Sequence, residues 1–174
     1  RILVSSHRLL DSWGTYDTLP DNINFAKDHC SPYLLSDGVT LYFAAQDLNG
    51  IGGLDIYVSR YNTTTESYTT PENIGFPYNS PANEYMFVVD ETRQIAYLAT
   101  DRFTQKGRVH VYSFAIPEQK QYWRDIPHES LVEYAQLNKF ERFSTDTTIN
   151  PITDKTTDKI GDFFYSKYSF ILSK

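Results

Sequence analysis

A mainly β fold made of repeated, stacked four-stranded antiparallel sheets is predicted by three observations. Trp13, Tyr68 and Trp123 recur at intervals of 55 residues. Short β-rich runs recur at matching places ahead of each marker, and Gly, Asn, Asp and Pro turns separate them. A fixed period of this size is the mark of one supersecondary unit copied and stacked.

The elements follow in order. Ile2-Leu3-Val4-Ser5, Ile56-Tyr57-Val58-Ser59 and Val111-Tyr112-Ser113-Phe114 precede the three markers, each a run rich in strand-forming residues. After the first two markers, turn-forming stretches lead into Pro32-Tyr33-Leu34-Leu35-Ser36 and Met86-Phe87-Val88-Val89-Asp90. Turns follow at Asp37-Gly38 and Glu91-Thr92-Arg93. Then come 41–47 and 95–101, held at an offset of 54 and apolar enough for central strands. One unit is therefore expected near 32–36, 40–46, 54–61 and 67–71, and the next near 85–90, 94–100, 109–115 and 121–126. Residues 1–16 supply the last two strands of an earlier unit.

Four short strands per unit are the anatomy of a propeller blade. The expected fold is thus a partial β-propeller of about two blades plus two strands of a third, over residues 1–126. A lone twisted sheet leaves both faces exposed until neighbours stack on it, and closed propellers typically need about four to eight blades. Further blades upstream are accordingly expected, because the chain opens at Arg1 inside a blade. Residues 127–174 are expected to form a helical and irregular extension. Ser130 would cap a short helix turning Leu131, Ala135 and Phe140 inward. The polar stretch 144–159 reads as a linker, and the aromatic segment after Ile160 leans towards helix.

The repeated residues have mechanical explanations. Asp37-Gly38 is a strong hairpin signal, with Gly accepting positive φ and Asp capping the turn. Gly50, Gly52 and Gly53 are expected to take φ values closed to other residues. Asp55 is expected to satisfy backbone N–H groups of that loop. The stretch Asp47–Asp55 alternates oxygen side chains in a Gly-rich loop, a calcium-compatible composition. The EF-hand pattern, however, wants an oxygen ligand where Ile51 stands and Glu where Val58 stands, so a structural turn is the better-supported reading.

The run Ser31-Pro32-Tyr33-Leu34-Leu35-Ser36-Asp37-Gly38-Val39-Thr40-Leu41-Tyr42-Phe43-Ala44, followed by Gly50-Ile51-Gly52-Gly53-Leu54-Asp55-Ile56-Tyr57, resembles the TolB-type, WD-like β-propeller repeat of bacterial, Bacteroidetes-like, cell-envelope proteins. Pro71-Glu72-Asn73-Ile74-Gly75 with Tyr78-Asn79-Ser80 and Glu84 is similar to the linker between such blades. The second copy departs from the pattern, with Arg108 for the second glycine, His110 for the aspartate and Met86 for the proline. The resemblance implies a non-catalytic protein-binding or scaffold module in the periplasm or at the outer membrane, with envelope proteins as partners and peripheral outer-membrane association.

Repetition also argues against catalysis, since an acid or base is needed once and Asp47 and Asp101 recur in register. The polar residues that break the repeat are the candidates for a partner site: Glu84 for Cys30, Arg108 for Gly53, His110 for Asp55, with Asn49 and Arg102 in neighbouring loops. No Ser nucleophile elbow, His-Glu-x-x-His or Walker loop occurs, and the histidines lack metal-ligand spacing, so no metal and no cofactor are expected. The alternative is a carbohydrate-binding or glycoside-processing propeller, which would need facing carboxyls about 5–10 Å apart. A net charge of −6 and a pI near 5.1 argue against nucleic acid, which calls for a clustered basic face. One cysteine allows no intrachain disulfide, and no apolar run of transmembrane length is present.

Overall fold

The computed structural model describes residues 1–116, 126–138 and 140–143. Trp123, nearly all of the strand expected at 121–126, the 144–159 stretch and the C-terminal aromatic segment lie outside the described residues. Within them the chain is mainly β, with antiparallel sheets and one short helix. The expected β class is therefore borne out.

A hairpin of β1 (Val4–Arg8) and β2 (Trp13–Thr18) forms a two-stranded sheet. The next sheet orders β3 (Asp28–Leu34), β4 (Thr40–Gln46), β5 (Asp55–Asn62) and β6 (Ser67–Tyr68), and β7 (Glu72–Asn73) pairs on β5 beside β6. The last orders β8 (Glu84–Asp90), β9 (Ile95–Thr100), β10 (His110–Ala115) and β11 (Glu141–Phe143). Helix α1 (His128–Ala135) lies between β10 and β11 in sequence.

Alternation along the strands sends neighbouring side chains to opposite faces. On β4, Leu41, Phe43 and Ala45 join Leu3, Leu19, Ile23 and Tyr57 in one buried cluster. Ala44, from the opposite face, joins Cys30, Leu54, Ile56, Phe87, Val89, Ala96 and Leu98 in another. The β3–β6 sheet is thus covered on both faces, by the β1–β2 side and by the β8–β11 sheet. Two long-range links reinforce the second contact. The Tyr33 hydroxyl donates to the Val89 carbonyl at 2.6 Å, and Ser36 donates its backbone N–H and its hydroxyl to the two oxygens of Glu91 at 2.7 and 2.6 Å.

Four boundaries differ from expectation. β3 starts at Asp28 rather than near Pro32, because Ser31 takes φ 50 and the register shifts between Cys30 and Tyr33. Pro32, which cannot donate to a ladder, is accommodated at that irregularity. A matching shift occurs in β8 between Glu84 and Met86.

The edge strand expected at 67–71 is split into β6 and β7. Between them the Thr69 side chain accepts from the Arg60 N–H at 3.0 Å and the Thr69 carbonyl accepts from the Ser59 hydroxyl at 2.7 Å. The outer partner of β10 is β11, which pairs Val111 with Phe143 and Ser113 with Glu141, so Glu141–Phe143 holds the edge position assigned to 121–126. Phe140 leads into it, its ring 4.6 Å from Phe114 and 6.5 Å from Tyr78. Finally, α1 begins at His128 with Pro127 at the N-cap and no side-chain cap, so Ser130 lies inside the helix. Pro at this entry has a preset φ of −55 and lends its carbonyl to the Leu131 N–H.

The helix ends in a Schellman turn. The Leu137 N–H donates to the Tyr134 carbonyl and the Asn138 N–H to the Glu133 carbonyl, with Leu137 at φ 59. Gly is usual at that left-handed position. Here a leucine takes it because its side chain is buried.

Candidate functional site, a three-loop end of the stacked sheets

Antiparallel order brings three connections to one end: the 47–54 loop between β4 and β5, the 79–83 approach to β8, and the 101–109 loop between β9 and β10. They are joined by backbone hydrogen bonds, from the Gly53 N–H to the Ala82 carbonyl at 3.0 Å and from the Asp101 N–H to the Asn83 carbonyl at 3.1 Å. The Asn83 carboxamide oxygen also accepts from the Leu54 N–H at 3.0 Å.

The 47–54 loop is gathered around Asp55. One carboxylate oxygen, Oδ2, accepts from the Ile51 N–H, from the Gly52 N–H at 3.4 Å and from the Asn73 amide at 3.1 Å. The glycines here serve close approach rather than positive φ, which among the described glycines is confined to Gly38, Gly75 and Gly107. A Cβ on Gly52 would stand 2.1 Å from the Ser80 carbonyl oxygen and one on Gly53 would stand 2.1 Å from Asn83 Oδ1. Leu48 is fully exposed, Ile51 is largely so, and Asn49 faces solvent beside them.

The 101–109 loop is braced on both sides of Phe103. Asp101 accepts from the Asn83 N–H and carboxamide, both at 2.8 Å, and from the Tyr85 hydroxyl at 3.0 Å. Burial works against its ionisation, but those hydrogen bonds outweigh it and hold the carboxyl below the ordinary aspartate range. Arg102 turns inward, where Nη2 meets Glu84 Oε1 at 3.0 Å and the Tyr78 carbonyl at 2.8 Å. Nη1 donates to the Pro77 carbonyl at 3.1 Å and reaches the Ala135 carbonyl at the end of α1 at 3.4 Å. Glu84 is completed by the Ser80 N–H and hydroxyl and the Thr100 hydroxyl. Directly after these two anchors, and before the Thr104 hydroxyl that bonds the Asp101 and Arg108 carbonyls, Phe103 is held at φ 59 with 67% of its surface exposed. A left-handed conformation costs a bulky L residue about 1–2 kcal/mol.

Of the residues expected to meet a partner, Asn49 and Arg108 are exposed at this end, and His110 opens β10 half-buried, its ring 6.2 Å from Tyr112. Glu84 and Arg102 are corrected: at 0% and 6% exposure they form an internal ion pair rather than a contact surface. A charge placed on a strand between packed sheets must be matched where it stands, and Arg102 from the neighbouring loop matches Glu84.

The repeated residues occupy structural places. Asp37 accepts from the Val39 and Thr40 N–H groups at 2.8 Å and from the Thr40 hydroxyl at 2.6 Å, beside Gly38 at φ 71. Trp13 stands across from Arg8, whose guanidinium lies 6.0 Å from the ring centroid, and Tyr68 stands across from Tyr61 with ring centroids 5.1 Å apart.

Sequence reasoning missed Phe103, which sits at the repeat position of Asn49. An aromatic standing where the other copy has a loop asparagine was the available signal. Among the described residues, no three His, Cys, Asp or Glu side chains gather in a way that could hold a metal ion, and no helix is long and apolar enough to cross a membrane. Compared with protein-family models, curated proteins and solved structures, the chain matches none of them.

Proposed function

We propose that the chain is part of a TolB-type β-propeller acting as a non-catalytic protein-binding module of the bacterial envelope, periplasmic or outer-membrane associated, which offers its three-loop end to a protein partner. The propeller reading is supported by two sheets of the same strand order, whose first three strands recur at offsets of 54–55 residues, stacked face to face. β1 and β2 match β5 and β6 in sequence and in pairing, as the outer strands of another blade. The envelope assignment rests on the resemblance of residues 31–57 to the repeat of such proteins.

Binding is carried by one observation. Leu48, Ile51, Phe103 and Val109 are exposed in the 47–54 and 101–109 loops, which flank the hydrogen bonds Asn83 makes to Leu54 and Asp101. Exposed apolar groups gathered on adjoining loops of a rigid scaffold are the pattern of a recognition surface.

The test is photo-cross-linking in cells from an unnatural residue at Asn49, with Thr64 as control. Thr64 lies in the turn after β5, at the opposite end of that strand. A specific envelope protein trapped from Asn49 and not from Thr64 supports the reading. Equal trapping from both, or none from Asn49, overturns it.

A further inference from the structure

We infer that the 101–109 loop is a docking element for an acidic, apolar peptide segment of a protein partner, with Phe103 as its anchor and Lys106 and Arg108 as its flanking charges; this deepens the protein-binding reading above and rests on it.

Three observations converge on this loop. Phe103 is exposed while its backbone is held in the left-handed region, a combination that Gly or Asn would relieve. An outlier of this kind persists where its surroundings over-determine it, which is characteristic of ligand-contacting sites.

The surroundings here are rigid. Asp101 and Arg102 are tied down on one side. On the other, the Thr104 hydroxyl lies 2.8 Å from both the Asp101 and the Arg108 carbonyl oxygens, and the Arg108 N–H donates to the Gln105 carbonyl at 3.0 Å. A ring carried on a backbone fixed in this way requires little ordering of the chain on binding, which is what makes a good anchor.

The charge pattern selects the occupant. Lys106 and Arg108 are exposed and make no ion pair among the described residues. The loop's only carboxylate, Asp101, is engaged by Asn83 and Tyr85. Two unengaged cations beside an exposed ring, on a chain of net charge −6, form a local positive field that attracts carboxylates. Two cations are too few for a nucleic acid backbone, whose binding draws on many phosphate contacts. The neighbouring 47–54 loop adds apolar surface through Leu48 and Ile51 but no cation, so the acidic end of the segment belongs over 106–108.

The probe is a phage-displayed library of random peptides of about twelve residues, panned against the full chain. Peptides pairing Asp or Glu with large apolar side chains are expected to be enriched. Their affinity should fall about 30-fold for Phe103→Asn, which keeps the left-handed backbone and removes the ring. It should fall about 10-fold for the Lys106→Glu, Arg108→Glu pair, and it should weaken in about 0.5 M salt. Circular dichroism and thermal melting check that both variants fold.

Enrichment of basic or uncharged peptides, no enrichment, or affinity unchanged by Phe103→Asn overturns the inference. Sedimentation showing self-association that Phe103→Asn abolishes would assign the loop to a second copy of the chain and also overturn it. If peptides fail while cross-linking from Asn49 still traps one envelope protein, only this inference falls. If that cross-linking traps nothing, the protein-binding reading falls with it.

Discussion

The Arg102 guanidinium meets the Glu84 carboxylate at 3.0 Å between β8 and the loop after β9, with the two side chains 7% and 0% exposed. The same guanidinium also holds the carbonyls of Pro77, Tyr78 and Ala135. One side chain therefore fixes the approach to β8, the base of the 101–109 loop and the end of α1.

Removing either partner leaves a buried charge without its counterpart, which typically costs about 3–5 kcal/mol. Arg102→Met and Glu84→Gln are each expected to lower the urea midpoint substantially. The double variant should lose less than the sum of the two, because neither charge is then stranded. Strictly additive losses in urea titrations would contradict the pairing.

Gly52→Ala should destabilise by about 1–3 kcal/mol, the usual range for overpacking. Its new methyl would meet the backbone oxygens of Ser80 and Ala82, whereas the obstacle at Gly53 is the Asn83 side chain, which can shift at the expense of its hydrogen bonds to Leu54 and Asp101 rather than of the backbone. Gly53→Ala is expected to cost less. Thermal melts of the two variants side by side test the order.

His29 sets a pH dependence. Burial lowers its pKa, and its Nε2 accepts from the Ala26 N–H at 3.2 Å, so the proton sits on Nδ1, directed at the Arg1 carbonyl at 3.3 Å. The folded state thus favours the neutral ring. Above the unfolded value of about 6.5 this contribution is fully present, and it is lost as pH falls below that value towards the depressed folded pKa, because the unfolded chain takes up the proton first. Chemical denaturation at pH 7.5 and at pH 5.5 should show a smaller difference for His29→Gln than for the parent.

Phe103→Asn is expected to raise stability by about 0.5–1 kcal/mol through relief of the left-handed backbone, while weakening recognition. A melting temperature that falls would show that the ring contributes to the fold.

The β class and the strand positions were legible because alternating apolar residues and turn chemistry repeat at a nearly constant interval. The central strands at 40–46 and 95–100 are the plainest case. What escaped sequence reasoning is instructive. Gly52 and Gly53 read as residues needing unusual φ, yet what they need is room for residues 80–83, which lead into the next sheet and are not in the local sequence. Glu84 broke the repeat and Arg102 lay in a neighbouring loop, so both read as surface. Cys30, the repeat partner of Glu84, is buried, and a carboxylate at such a position requires a cation close by. That requirement points to Arg102, but only once β8 and β9 are known to pair. The edge strand β11 was invisible because it follows a helix and carries no repeat signal.

Strand β4 is walled by a different cluster on each side, so its amides cannot open to solvent while both neighbouring sheets remain in place. Hydrogen exchange there reports on the whole stack rather than on one sheet, and the slowest-exchanging amides of the molecule should lie between Leu41 and Ala45. Loosening either outer layer would speed their exchange by the same factor as it lowers global stability. The middle of the molecule is therefore a gauge of whether its two flanks are intact.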